Sequence, residues 1–279
     1  MIRRLFLGAR EAAAPAGFFR RRARGYLLFL VSVFLILLIW QVGAVLVRLA
    51  IILPTPYEVL RQLARIVSAP EFLRSVTATI LRGAAGFAIA AGAGFVTGLA
   101  VGISRGVESF LKPLLTLIQA TPVMSVILLA LIWFQTGGVP VFVAFLMTFP
   151  VITLNVARGV HEVDGNLLEM ARMYRLPFSV VLRRIYVPSV SPFVISAFSI
   201  ALGLTWKVII AAEVLSQPTF GIGTQLQEAR VELETANVFA WTAVAVILAG
   251  LSDGVFYLIL RVLTGAKPRD SKMKEPMTS

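Results

Sequence analysis

The chain has no cysteine in its 279 residues and a single histidine, His161. Disulfides and thiolate metal sites are excluded, and one imidazole cannot build a metal centre alone. Charge is also scarce. Only 14% of residues are Asp, Glu, Lys or Arg, against about 25% in an ordinary soluble domain. Acids are the scarcer sign, 14 against 26 bases. No phosphate loop of the form GxxxxGKS or GxxxxGKT is present, so the chain has no such means of binding and hydrolysing ATP. HExxH is missing too, and no set of carboxylates, histidines or an activated nucleophile stands out for catalysis.

What fills the sequence is apolar. Hydrophobic residues make up 58%, more than a soluble fold of this length can hide, so the expected solvent is the lipid bilayer. A net charge of +12 would suggest nucleic acid in a soluble protein. Here it fits the excess of Lys and Arg on the cytoplasmic side of membrane proteins, and no nucleic-acid partner is expected.

Crossing about 30 Å of hydrocarbon takes about 20 apolar residues as helix. Tyr26–Val47 carries no charge and follows a basic stretch, "FFRRRARG". It is too long for a signal-peptide core and lacks a small-residue cleavage site behind it, so it reads as a retained span. A second span runs from Gly83 to Ser104, with Gly94, Gly98 and Gly102 at the spacing that lets another helix approach closely, within the chain or from a second copy. No charged residue occurs between Lys112 and Arg158. The turn signal "QTGGVP" divides that stretch into a hairpin, Pro113–Phe134 and Val139–Ala157. Pro122 and Pro150 inside the arms can kink them. A fifth span lies near Val190–Ala212 and a sixth near Asn237–Leu260.

Six spans place both termini on one side. The tails and the second and fourth loops hold nineteen Lys and Arg, and the opposite loops hold five, Arg48, Arg61, Arg65, Arg74 and Arg230. That bias puts both termini in the cytoplasm. The chain divides into a basic tail at 1–25, a first transmembrane helix at 26–50 and an external segment at 51–76. A core of five more transmembrane helices at 77–262 carries a cytoplasmic loop at 158–189, and a second basic tail follows at 263–279.

Four ionisable groups fall within or at the edge of spans, where charge is expensive and faces a bundle interior or a water-filled path. Arg82, at the outer end of span two, can snorkel to the interface in a structural role. Glu213 lies near the outer end of span five, exposed or toward the path. Lys207 is deeper, beside Trp206, and reads either as a path-lining group or as a lysine paired for packing. Asp253 on span six reads as a buried partner of an arginine or a backbone donor. Trp206, Lys207 and Glu213 are thus the candidate path residues, with Asp253 and Arg82 structural. No residue is a candidate metal ligand.

The cytoplasmic stretch "EMARMYRLPFSVVLRRIYVP", Glu169–Pro188, is polar and apolar by turns. Asn166 and Glu169 have the spacing of a capping box. Leu167, Met170, Ala171 and Tyr174 then share one helix face, and Glu169 can pair with Arg172 on the other. Pro177 suits the start of a second short helix with Phe178, Val181, Leu182 and Ile185 on its apolar face. Pro188 marks a bend into span five. The two helices either lie on the membrane surface or fit a partner's groove.

The same stretch resembles the EAA-type coupling motif of permease subunits of ATP-binding-cassette importers. Glu169, Ala171 and "IYVP" from Ile185 to Pro188 match it. Met170 replaces the middle alanine, and Arg175 stands where the pattern has glycine, so a distorted turn is expected there. "LPTPYEVL", "FPVITLNVARGV", "LGLTWKVIIAAEVLSQPTFGIG" and "LSDGVFYLI" resemble the nitrate, sulfonate and taurine branch, over roughly Leu53 to Leu260. The resemblance implies an all-α integral membrane protein of the type I importer fold, in a bacterial inner membrane. Its coupling loop would meet a cytoplasmic ATPase through Glu169, Ala171, Ile185 and Pro188, with Arg172 beside them. It also implies a second permease copy in a homodimer and an extracytoplasmic substrate-binding protein. The chain itself would hold no cofactor and be non-catalytic, ATP and Mg being bound by the ATPase. The cargo would be a small solute such as nitrate, a sulfonate, taurine or a vitamin precursor. An ion-driven secondary transporter using Lys207 and Asp253 is the alternative.

Overall fold

The computed structural model describes the backbone of residues 16–264 and the side chains of residues 27–262. The side chains of the two basic tails lie outside these limits. Among the described residues every regular element is helical, in the order α1 (Ala16–Val47), α2 (Pro56–Val67), α3 (Pro70–Ile103), α4 (Arg105–Ala120), α5 (Val123–Trp133), α6 (Val139–His161), α7 (Gly165–Met173), α8 (Phe178–Val181), a π-helical turn (Leu182–Tyr186), α9 (Val187–Ser216), α10 (Ile222–Val231) and α11 (Thr235–Thr264). Five helical segments, α1, α3, α6, α8–α9 and α11, are long and apolar enough to cross a membrane. The third expected span is not one straight helix: α4 and α5 meet at 99°. A residue before proline is pushed out of the helical region, and Thr121, ahead of Pro122, is extended at φ −75°, ψ 127°. Pro150, by contrast, lies inside an unbroken α6.

Two boundaries differ from expectation because caps, not hydropathy, set them. α3 starts at Pro70, thirteen residues before the expected Gly83, with proline in its first turn, where the missing N–H has no partner to lose. Gly83–Ile103 alone is about 30 Å long at ~1.5 Å per residue, so the first turns of α3 extend past the apolar layer. Ser104 ends α3 and caps α4, its hydroxyl accepting from Val107 N at 3.4 Å. The helix that opens the third expected span thus begins at Arg105 rather than Pro113. The segment at 51–76 also contains α2, closed by a capping box: Thr55 N donates to Glu58 Oε2 at 2.7 Å and Glu58 N to Thr55 Oγ1 at 3.3 Å.

α6 is the axis of the bundle, packed on α3 along one side and on α9 along the other. The glycine stripe of α3 serves the first contact, within this chain. A Cβ on Gly98 would fall 2.7 Å from Val156 Cβ and 2.8 Å from the Thr153 carbonyl oxygen of α6. Thr97 and Thr153 share a hydrogen bond of 3.0 Å across the same seam. Ala90, Ile152, Val156 and Ala201 fill the core between α3, α6 and α9, and Ile127, Val139, Val143 and Ala212 fill that between α5, α6 and α9. A third core joins α2, α10 and α11 through Val59, Ile66, Ile222 and Trp241. α1 and the second half of α11, from 246 on, leave most of their apolar side chains exposed, as lipid-facing helices do.

Candidate functional site

The loop between α6 and α9 opens with α7. Its N-cap is Asp164, whose Oδ1 accepts from Asn166 N at 2.8 Å; the capping box expected from Asn166 and Glu169 does not form. At the other end, Arg175 N donates to Arg172 O at 3.0 Å and Leu176 N to Ala171 O at 2.9 Å. These are the two bonds of a Schellman motif, which needs a left-handed residue after the last turn and usually takes glycine there. Arg175 occupies it at φ 49°. The turn therefore has its usual geometry, with the strain carried by the arginine backbone.

After Pro177, α8 runs through the π-turn directly into α9, so the second short helix is the start of a continuous helical segment from Phe178 to Ser216. No separate bend stands at Pro188. Proline has no N–H and its ring crowds the carbonyl four residues back. The widened turn accommodates this: Val187 N reaches back five residues to Leu182 O, the bond that defines a π-turn. Ile185 is buried within it and Pro188 is exposed.

On α7 only Ala171 is buried. Leu167, Met170, Met173, Tyr174, Phe178 and Leu182 are exposed, Met173 at 83% and Tyr174 and Phe178 at 74% each. An amphipathic helix whose apolar face is left bare in its own chain marks an interaction surface. Glu169 and Arg172 are exposed beside it. They do not form the expected ion pair, since the one ion pair among the described residues is Arg82–Glu213.

That pair lies at the far end of α9. Arg82 turns inward instead of snorkelling, its Nη1 donating to Glu213 Oε1 and to Phe220 O, each at 2.7 Å. Glu213 has no exposed surface. Its carboxylate also accepts from Thr79 Oγ1 at 2.9 Å and from Gly223 N at 3.0 Å, and Thr79 Oγ1 in turn accepts from Ile222 N at 2.9 Å. Ile222 and Gly223 open α10, so the carboxylate occupies the anion-favouring end of that helix. A buried charge is tolerable when paired and hydrogen-bonded in this way. The approach requires Gly223: a Cβ there would lie 2.5 Å from Glu213 Cβ and from Ile210 O.

The remaining candidates separate. Trp206 is buried, its ring under Gly83 and its Nε1 donating to Ser252 Oγ at 2.6 Å, so it joins α9 to α3 and α11. Lys207 is exposed on the other side of α9. Asp253 is half-buried on α11, and no arginine or lysine among the described residues is within ion-pair distance of it. Trp206 and Glu213 are thus enclosed in the chain, and of the three path candidates Lys207 alone presents a free surface. No group of three or more His, Asp or Glu side chains among the described residues could hold a metal ion. Sequence reasoning placed Arg82 and Glu213 but missed Thr79, Gly221 and Gly223. The signal available was the run "EVLSQPTFGIG", a carboxylate followed by a glycine-bracketed helix start.

A multi-pass, all-α membrane protein with a bare helical loop between two core spans, and no nucleotide motif of its own, is built as the membrane component of a larger transporter. The family model described as "Binding-protein-dependent transport system inner membrane component" matches residues 90–266, and the chain belongs to that family. It is 28% identical over 246 residues to a Bacillus subtilis protein named as a putative aliphatic sulfonates transport permease, SsuC, covering 87% of this chain and 88% of that one. It is 27% identical over 231 residues to the taurine transport system permease protein TauC of Escherichia coli, 81% and 84% of the two chains. The bicarbonate transport system permease protein CmpB of Synechococcus elongatus is 33% identical over 147 residues, 52% and 53% of the two. The chain is a permease subunit of an ATP-binding-cassette importer, as the coupling motif implied.

Proposed function

We propose that this permease carries a small anionic or zwitterionic solute through a bacterial inner membrane and docks its α6–α9 loop on a cytoplasmic ATPase. The observation that carries the docking is the unpartnered apolar face of Met170, Met173, Tyr174 and Phe178, flanked by exposed Glu169 and Arg172. The basic bias of the tails and of the second and fourth loops supports a cytoplasmic location for that loop and both termini. The chain is non-catalytic in this reading, ATP and Mg being bound by the ATPase. Two copies enclose the path, and an extracytoplasmic binding protein delivers cargo. ATP-driven closure of the ATPase pair would then rock the permease copies as rigid bodies.

The cargo class rests on the relatives' names, which cover aliphatic sulfonates, taurine and bicarbonate, and on the exposed Lys207 within α9. The test of docking is Glu169→Lys. It should leave membrane insertion intact and abolish ATP-driven uptake, with loss of the ATPase on co-purification. Full uptake with an undiminished ATPase yield would refute the coupling role. Uptake of labelled taurine, an alkanesulfonate and bicarbonate, compared in cells carrying and lacking this permease, tests the cargo class.

A further inference from the structure

The loop that faces the ATPase and the helix at the opposite surface belong to one continuous piece of structure. From Phe178 to Ser216 the helical segment runs 39 residues, about 58 Å at ~1.5 Å per residue. It starts inside the loop, with Ile185 buried at its base, and ends three residues after Glu213. Beyond it the chain reverses at Gln217, which is left-handed at φ 43°, and α10 begins five residues later.

The reversal by itself does not fix α10 on α9. Besides the core that packs α10 on α2 and α11, the Glu213 network ties it to α9. The carboxylate of α9 binds the first N–H groups of α10, one directly through Gly223 and one through Thr79 of α3, while Arg82 of α3 binds both the carboxylate and the Phe220 carbonyl of the connecting turn. Thr224 Oγ1 closes the same turn onto Pro218 O at 2.9 Å. Gly221 lies so near the carboxylate that a Cβ there would come within 2.8 Å of its carbon. α3, α9, α10 and the connecting turn are therefore all hydrogen-bonded or packed to the one carboxylate, which is itself closed to solvent.

We infer that Glu213 is a positioning residue for coupling: it fixes α10 to the far end of α9, so that α9 and α10 move as one lever. Displacement of the coupling loop on one side of the membrane then reaches the surface on the other side without loss, and the arrival of the binding protein at that surface reaches the loop by the same route. This rests on the docking of the loop proposed above. It adds a specific residue through which that docking is felt at the opposite face. Coupling between the binding of partners at two distant sites is reciprocal in free energy and commonly amounts to about 5–150-fold.

The test uses the importer purified in nanodiscs with its ATPase and binding protein. Glu213→Gln keeps the side-chain shape and the bonds from Arg82 and Thr79, but its amide nitrogen cannot accept from Gly223. ATPase co-purification and basal ATP hydrolysis should stay at wild-type levels, while stimulation by the binding protein falls about tenfold or more. The chain has no cysteine, so spin labels placed at Glu228 of α10 and Ile200 of α9, both exposed, report the lever directly. Their separation should be one narrow distribution, the same in nucleotide-free and ATP-trapped importer, and Glu213→Gln should broaden it. Failure of the ATPase to co-purify with the wild-type chain would refute the docking and leave the label result standing alone. A wild-type separation that changes between the two states overturns the lever. So does a Glu213→Gln importer with a narrow distribution and full stimulation.

Discussion

Replacing Gly98 with alanine is the sharpest test of the bundle's packing. The added Cβ would lie 2.7 Å from Val156 Cβ and 2.8 Å from the backbone oxygen of Thr153, where ordinary contact begins at 3.4 Å. A side chain could rotate out of the way, but the Thr153 carbonyl belongs to the α6 backbone, so α3 and α6 must separate locally. Such overpacking costs about 1–3 kcal/mol. Alanine returns about 0.5–1 kcal/mol over glycine in a helix interior, which leaves a net loss centred on about 1 kcal/mol and reaching about 2.5 kcal/mol. Gly92, on the same helix, has open space around it, with nothing within 4 Å of where a Cβ would stand, and its change to alanine should stabilise by about 0.5–1 kcal/mol. Unfolding of the purified permease by titration with sodium dodecyl sulfate, followed by tryptophan fluorescence, would measure both. The two variants should move the midpoint in opposite directions. A Gly98→Ala protein as stable as the wild type, or a Gly92→Ala protein destabilised equally, would refute the assignment of the stripe to the α3–α6 contact.

Arg175→Gly should relieve the left-handed strain at the end of α7, worth about 1–2 kcal/mol for a residue with a Cβ, less about 0.5–1 kcal/mol for the greater freedom of glycine when unfolded. Slower hydrogen exchange at the Leu176 amide would register the gain; faster exchange would contradict it. Trp206→Phe removes the bond to Ser252 but leaves that hydroxyl bonded to the Ala249 carbonyl at 2.7 Å, so the loss should be about 1 kcal/mol in the same unfolding titration. A Trp206→Phe protein with unchanged stability and impaired uptake would return Trp206 to the translocation path.

The spans were legible in the sequence because each must satisfy its own backbone hydrogen bonds in lipid, which makes a transmembrane helix a local property. For the same reason the loop between α6 and α9 could be read as amphipathic helix, and the motif from Glu169 to Pro188 pointed to the right family. Reading failed where a local rule had two solutions. Asn166 and Asp164 both suit an N-cap, and only the chain's course into α7 selects Asp164. A proline can kink a helix, as Pro122 does, or ride within one, as Pro150 does.

What tertiary structure alone decided are the partners. Arg82 and Glu213 are 131 residues apart, and no periodicity on either helix says that the two meet. The expectation that Arg82 snorkels and Glu213 faces water followed from treating each helix alone. Once α3 and α9 pack on α6, both side chains are turned into a dry corner where neither charge is tolerable without the other. The glycines of α3 likewise announced a close neighbour without naming it. Which helix fills that groove is a matter of packing across the whole bundle, and the answer is α6.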